Sequence, residues 1–189
     1  LSEGCNIVAA HIDSPRLDLK PTPLYENAGI GYFKTHYYGG IKKYQWTALP
    51  LALHGVVCLR DGSTVEVTIG EREDEPVFYI TDLMPHLGKD QNEKKLAEAI
   101  PGETLNIVAG GVPYDAEAGV RKAVVAALHE KYGMTERDFA TAEICAVPAQ
   151  KARDVGLDRS MIAAYGQDDK ICAYPALAAL LQAEKPKKT

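Results

Sequence analysis

No run of apolar residues in this 189-residue chain approaches the roughly 18 to 20 needed to cross a bilayer, which argues against a membrane protein. The N-terminal stretch LSEGCNIVAAHIDSP has no basic region and no long apolar core, so it does not read as a secretory signal. Nor is there an initiator Met. Strand-like residues begin almost at once, and the expectation is a chain trimmed or cut from something longer. Lys and Arg are nowhere concentrated among aromatics and the formal net charge is −5, which disfavours nucleic acid as a partner. The four cysteines (Cys5, Cys58, Cys145, Cys172) form no CxxC pair, which argues against a disulfide framework and a structural zinc knot. Buried, reduced thiols of a cytoplasmic protein are expected instead. GxGxxG, GxxxxGK[ST], GxSxG and HExxH are all missing, leaving nucleotide-binding, serine-hydrolase and thermolysin-like readings without support.

What is there is ordinary for a globular protein: 46% hydrophobic, 25% charged and 7% aromatic residues exclude disordered, collagen-like and coiled-coil chains. The length suits one large domain or two small ones. Cys5 to Ile12 (CNIVAAHI) is a short continuous apolar run, the pattern of a strand buried on both faces of a mainly parallel sheet. It ends at His11-Ile12-Asp13-Ser14-Pro15, and polar residues at such strand ends are where open α/β sheets place their sites.

From Leu17 to Pro148 the chain turns Gly- and Tyr-rich with β-branched alternation. Leu51 to Leu59, the turn Asp61-Gly62 and Thr64 to Ile69 read as a β-hairpin. Short strands are expected at Pro76 to Ile80, Thr104 to Ala109 and Ala142 to Val147. Lys89 to Ile100 reads as an amphipathic helix, and Ala116 to Tyr132 as a helix stopped by Gly133. After Pro148 an α/β style returns, with a polar loop at 165–170 and an Ala/Leu helix from Ile171 to Ala183 that contains Pro175. Lys185 to Thr189 is a basic connector. The fold class is therefore α/β: residues 1–16 and 151–189 are two pieces of an incomplete α/β domain, interrupted by a β-rich insertion over 17–150.

His11 and Asp13 occupy alternate positions of the expected strand, so both side chains can reach one site. Imidazole is a good zinc ligand, and a nearby carboxylate can fix its tautomer. The competing reading is a hydrogen-bonded structural histidine at a strand end. Asp168-Asp169 is an acidic pair just before a helix, where carboxylates serve as caps. A bridging metal ion would also offset the repulsion between the adjacent acids. Of the other histidines, His54 reads as a satisfied core residue and His129 as solvated. His86, after Met84-Pro85, is free to project.

Several segments together resemble one family. Ala9-Ala10-His11-Ile12-Asp13-Ser14-Pro15-Arg16-Leu17 is similar to its first metal-ligand motif, and Lys34 to Trp46 (KTHYYGGIKKYQW) to the signature of its bacterial branch. Val147-Pro148-Ala149 through Gly156, then Tyr165-Gly166-Gln167-Asp168-Asp169-Lys170 to Tyr174, resembles its second ligand motif. The family is that of aminopeptidase I and aspartyl aminopeptidase, dizinc enzymes that assemble as tetrahedral dodecamers. The resemblance implies that His11 binds one zinc, that Asp13 orients it, that Asp168 bridges both metals, and that the Asp168–Asp169 peptide is cis. It implies a pair of zinc ions (cobalt and manganese also suit such ligands) activating a water against the first peptide bond of peptide substrates. It also implies that the insertion mediates homo-oligomer contacts, and that a histidine from it, best matched by His86, enters a neighbouring subunit's substrate pocket.

The family pattern continues with a Glu-Glu pair, an Asp and a final His, none of which lies between Asp169 and Thr189. A general base contributes about 10² to 10⁴ in rate, so this polypeptide alone is expected to be inactive and only weakly metal-binding. Two further readings stand beside the enzyme: an assembly module without catalysis of its own, and a sugar- or peptide-binding β-domain.

Overall fold

A computed structural model describes residues 5–183. The chain divides into two compact units, one made of the segments up to Pro15 and from Lys151 onward, the other of Arg16–Gln150. Strands and helices together give a mixed α/β architecture.

The larger unit is built on a six-stranded antiparallel sheet. Its strands are β1 (Arg16–Asn27), β2 (Ile30–Tyr38), β3 (Leu51–Cys58), β4 (Thr64–Ile69), β5 (Ile107–Gly110) and β6 (Ala142–Pro148), in the order β4-β3-β6-β1-β2-β5. Period-two alternation decides its faces. Leu17, Leu24, Phe33, Leu53, Val57, Val67, Ile107, Ile144 and Ala146 turn inward to a single core. The opposite face carries Asp18, His36, His54 and Cys145, which are cross-strand partners of one another in a row. β1 and β2 form a hairpin whose ladder shifts register between Leu19 and Leu24. Pro21 and Pro23, which offer no N–H to a ladder, occupy that stretch, beyond the point where β1 has left β6.

Helix α3 (Val120–Tyr132) covers one end of the inner face, with Val120 and Val124 buried over Gly31 and Gly110, and it ends at Gly133 with φ +69°. Phe33 sits between Phe78 and Phe139, ring centroids 6.4 and 5.8 Å away. The expected 51–69 hairpin is present, with Leu53 facing Ile69 and Cys58 facing Thr64.

Several expectations change. Residues 89–100 form two single-turn helices, α1 (Lys89–Asn92) and α2 (Leu96–Ala99), separated by Lys95 in an extended conformation. Only Ile100 of that stretch is fully buried among its apolar residues, and a helix of this length without an anchored apolar face is marginal. Residues 76–80 make only isolated bridges, Leu51 to Phe78 and Tyr79 to Val108. The strand expected from Thr104 starts at Ile107, because a 3₁₀ turn at Gly102–Thr104 follows Pro101. The cysteines are all free, as expected, but not buried: Cys5, Cys58 and Cys172 are exposed and Cys145 is half-buried on the polar face of the sheet.

The smaller unit holds a two-stranded antiparallel ribbon, β7 (Arg153–Val155) and β8 (Met161–Ala163), and helix α4 (Gln167–Gln182), with Pro175 inside it. The strand expected at Cys5 to Ile12 does not form. Residues 5–15 have no regular structure, and Ile7 is 82% exposed. An apolar run becomes a strand only where a neighbour completes its ladder, and no described residue pairs with it. The apolar side of α4 is likewise exposed at Ile171, Leu177 and Leu181. The basic connector at 185–189 lies outside the described residues. No described helix is long and apolar enough to cross a membrane.

Candidate metal centre

The smaller unit gathers three potential metal ligands. His11, Asp13 and Asp169 each present a donor atom, and these atoms all lie within 4.8 Å of one another. His11 Nδ1 is 3.6 Å from Asp13 Oδ1 and in contact with the Asp169 carboxylate. His11 and Asp13 are exposed, whereas Asp169 is only 8% so.

Local backbone geometry sets the acidic end of this group. Gly166, with φ +78°, is the residue before α4, and a side chain there would meet Ser14 Oγ at 3.1 Å. Asp168 stands at φ −87°, ψ 107°, off the helical path, and its peptide bond to Asp169 is cis. The two neighbouring carboxyl groups differ. Asp169 turns toward His11, with the Asp168 carboxyl as its neighbour. The Asp168 carbonyl accepts from Ser14 Oγ at 3.4 Å. Hydrogen bonding with the Asp168 carboxyl, together with burial and the Asp168 charge, raises the Asp169 carboxyl above its ordinary value, with His11 opposing. Two carboxyl groups so close resist ionising together unless a cation joins them. One imidazole nitrogen with adjacent carboxylate oxygens is the donor chemistry that zinc, cobalt or manganese accepts, so the residues present fit a divalent metal ion.

Of the residues singled out in the sequence, His11 and Asp13 therefore stand together. Asp168 is adjacent, but the atom grouped with theirs belongs to Asp169, which the sequence reading set in the acidic pair and, by the resemblance, in the cis bond, without a ligand role of its own. Nothing in the order of two consecutive aspartates distinguishes them. The distinction arises from the non-helical Asp168. His86 belongs to the larger unit and is exposed on a turn closed by Leu87 N–H and Gly88 N–H onto Met84 O. His54 is half-buried, its Nε2 2.7 Å from Glu71 Oε1. His129 is exposed, with Nδ1 3.2 Å from Met134 O.

A donor set of this kind could hold a divalent metal ion, and comparison with known proteins says to which family the chain belongs. The profile of the family described as aminopeptidase I zinc metalloprotease (M18) matches residues 1–189. A probable M18 family aminopeptidase 1 from Clostridium acetobutylicum is 50% identical over 192 residues, covering 100% of this chain and 41% of that protein. Its counterpart from Thermotoga maritima is 53% identical over 189 residues, covering 99% and 42%. The crystal structure of the M18 aminopeptidase from Thermotoga maritima superposes with a TM-score of 0.91 over 98% of this chain and 41% of that one. The chain belongs to the M18 family of aminopeptidase I zinc metalloproteases. It spans about two fifths of the length of the curated relatives it matches.

Proposed function

We propose that this chain supplies part of the centre of a zinc aminopeptidase that releases N-terminal amino acids from peptides. The observation that carries the reading is the convergence of His11, Asp13 and Asp169 at one point in a member of a zinc-metalloprotease family. Zinc in such a centre supplies a Lewis acid and lowers the pKa of water. His11 and Asp168 are the residues that would hold zinc, Asp168 in the bridging role that the family resemblance implies. Asp13, whose Oδ1 lies 3.6 Å from His11 Nδ1, would accept the hydrogen of one ring N–H, so that the other nitrogen presents its lone pair. Asp169, buried beside them and in contact with His11, would hold the imidazole ring against the aspartate pair.

The same reading gives the larger unit a role in homo-oligomer contacts, in dodecamers as the resemblance implies, with His86 reaching the substrate pocket of a neighbouring subunit. It also expects the 189-residue polypeptide by itself to bind metal weakly and to leave peptides intact. Its residues 170–189 supply no further His or Asp and no Glu-Glu pair, and a general base alone is worth about 10² to 10⁴ in rate.

The test uses the full-length gene product that contains this chain. Hydrolysis of aminoacyl p-nitroanilides is expected to disappear on chelation, return with zinc, and be lost in His11→Ala and Asp168→Ala together with bound metal. Hydrolysis that survives complete removal of metal, or variants that keep wild-type zinc content, overturns the assignment.

A further inference from the structure

The segment that carries His11 and Asp13 has no regular structure and is exposed from Cys5 through Asp13. Its neighbours Ser14 and Pro15 are held differently. The Tyr165 hydroxyl donates to the Pro15 carbonyl, and the Ser14 hydroxyl donates to the Asp168 carbonyl at 3.4 Å. Both bonds cross about 150 residues of sequence and both land within a few residues of the aspartate pair. Gly166 makes the approach feasible, since a Cβ there would stand 3.1 Å from Ser14 Oγ. Tyr165 is itself kept in place, half-buried, with Lys170 Nζ 5.8 Å from its ring centroid.

We propose that Tyr165 and Ser14 are positioning residues whose hydroxyls fasten the His11–Asp13 segment onto the Asp168–Asp169 loop and so set the affinity of the metal centre. A segment without a ladder samples many conformations, and each free residue ordered on metal binding weakens that binding by its lost entropy. Two hydrogen bonds placed one and two residues after Asp13 order the segment beforehand, which is how preorganisation raises affinity. Partners outside the ligand set typically change metal affinity by about 10- to 100-fold, and Tyr165→Phe is expected to fall in that range. Ser14→Ala acts in the same direction with a smaller effect, as suits a bond of 3.4 Å.

The inference rests on the zinc reading above, and the experiment separates the two. Zinc affinity of the full-length gene product is measured by competition with a chelating dye for wild type, Tyr165→Phe, Ser14→Ala and Ser14→Thr. Thermal melting of each metal-free protein is measured alongside. Tyr165→Phe keeps the ring and its contact with Lys170 and removes only the donor. Affinity reduced about 10- to 100-fold in Tyr165→Phe, with a metal-free melting temperature within about 1 °C of wild type, supports the proposal. So does weakened binding in Ser14→Ala that Ser14→Thr restores, and this pair decides the matter if Tyr165→Phe does not fold. Equal affinity in wild type and Tyr165→Phe overturns the fastening and leaves the zinc reading standing. A fall in metal-free melting temperature that accounts for the affinity loss also overturns it, because Tyr165 is then merely structural. Wild-type protein that holds no zinc overturns both.

Discussion

Glu26, near the end of β1, accepts a hydrogen bond from the backbone N–H of Arg121 at 3.0 Å, across 95 residues of sequence. Helix α3 has Gly119 at its N-cap and no side-chain cap of its own, so its first-turn donors need a partner from elsewhere. A carboxylate there also complements the helix dipole. Glu26→Ala is expected to cost about 1 kcal/mol. That corresponds to roughly fivefold faster amide exchange in the first turn of α3, with β3 and β4 unchanged. Uniform acceleration across the sheet, or none at all, contradicts the capping role.

Glu75 is a heavily bonded carboxylate of the larger unit. Its oxygens accept from Lys131 Nζ at 3.0 Å, from Gly70 N–H at 3.0 Å and from Arg72 N–H at 3.4 Å, and its side chain is 7% exposed. The bond to Lys131 does most to hold its pKa down, to about 2, aided by the two backbone donors and the Arg72 charge. A carboxylate with a depressed folded-state pKa stabilises the fold above its unfolded value, and that contribution fades as pH falls toward the folded one. The melting temperature is therefore expected to drop between about pH 4.5 and pH 2. Glu75→Gln should lower it at pH 7 and flatten the acid limb. An unchanged acid limb in the variant would remove Glu75 from the account.

Gly55 in β3 has no room for a side chain: a Cβ there would lie 2.0 Å from the Glu143 carbonyl oxygen on β6. Because the obstacle is backbone of a central strand, relief means moving the ladder. Gly55→Ala is expected to destabilise by about 3 kcal/mol, seen as a lower melting temperature. Gly40, with nothing within 4 Å of the corresponding position, is the control, and Gly40→Ala should be neutral or slightly stabilising.

Legibility of this fold in the sequence follows where each interaction partner lies. The 51–69 hairpin and the end of α3 are set by residues close together in sequence: the Asp61-Gly62 turn, the alternation of Thr64 to Ile69 and the stop at Gly133. The run Cys5 to Ile12 failed as a strand because its ladder partner is absent from the described residues, and no local pattern reports that. The β1–β2 hairpin turns through Ala28 and Gly29, both at positive φ, without the Asn-Gly or Asp-Gly dipeptide that advertises such turns. At the site, the nearness of His11 and Asp13 is a matter of two residues of spacing. Which of Asp168 and Asp169 faces the imidazole depends instead on one ψ angle at Asp168, a property that composition and periodicity do not carry.

His86 offers a test of assembly that His11 alone cannot. It is exposed on its turn beside Met84, 61% exposed, and Leu87, 67% exposed, a projecting apolar loop of the kind that oligomers cover. If His86 completes the pocket of a neighbouring subunit, full-length His86→Ala should lose about 10²-fold in kcat/KM while keeping its zinc. His11→Ala should lose both zinc and activity. Neither homogeneous variant then approaches wild-type activity, but mixing them creates sites with an intact His11 centre and an intact His86 from the partner. Random pairing in equal amounts restores about one quarter of the sites. Activity recovered on co-refolding of the two variants, well above that of either alone, places the two histidines on different subunits of one site. Mixed oligomers with no more activity than His86→Ala by itself show that His86 works within its own chain or takes no part.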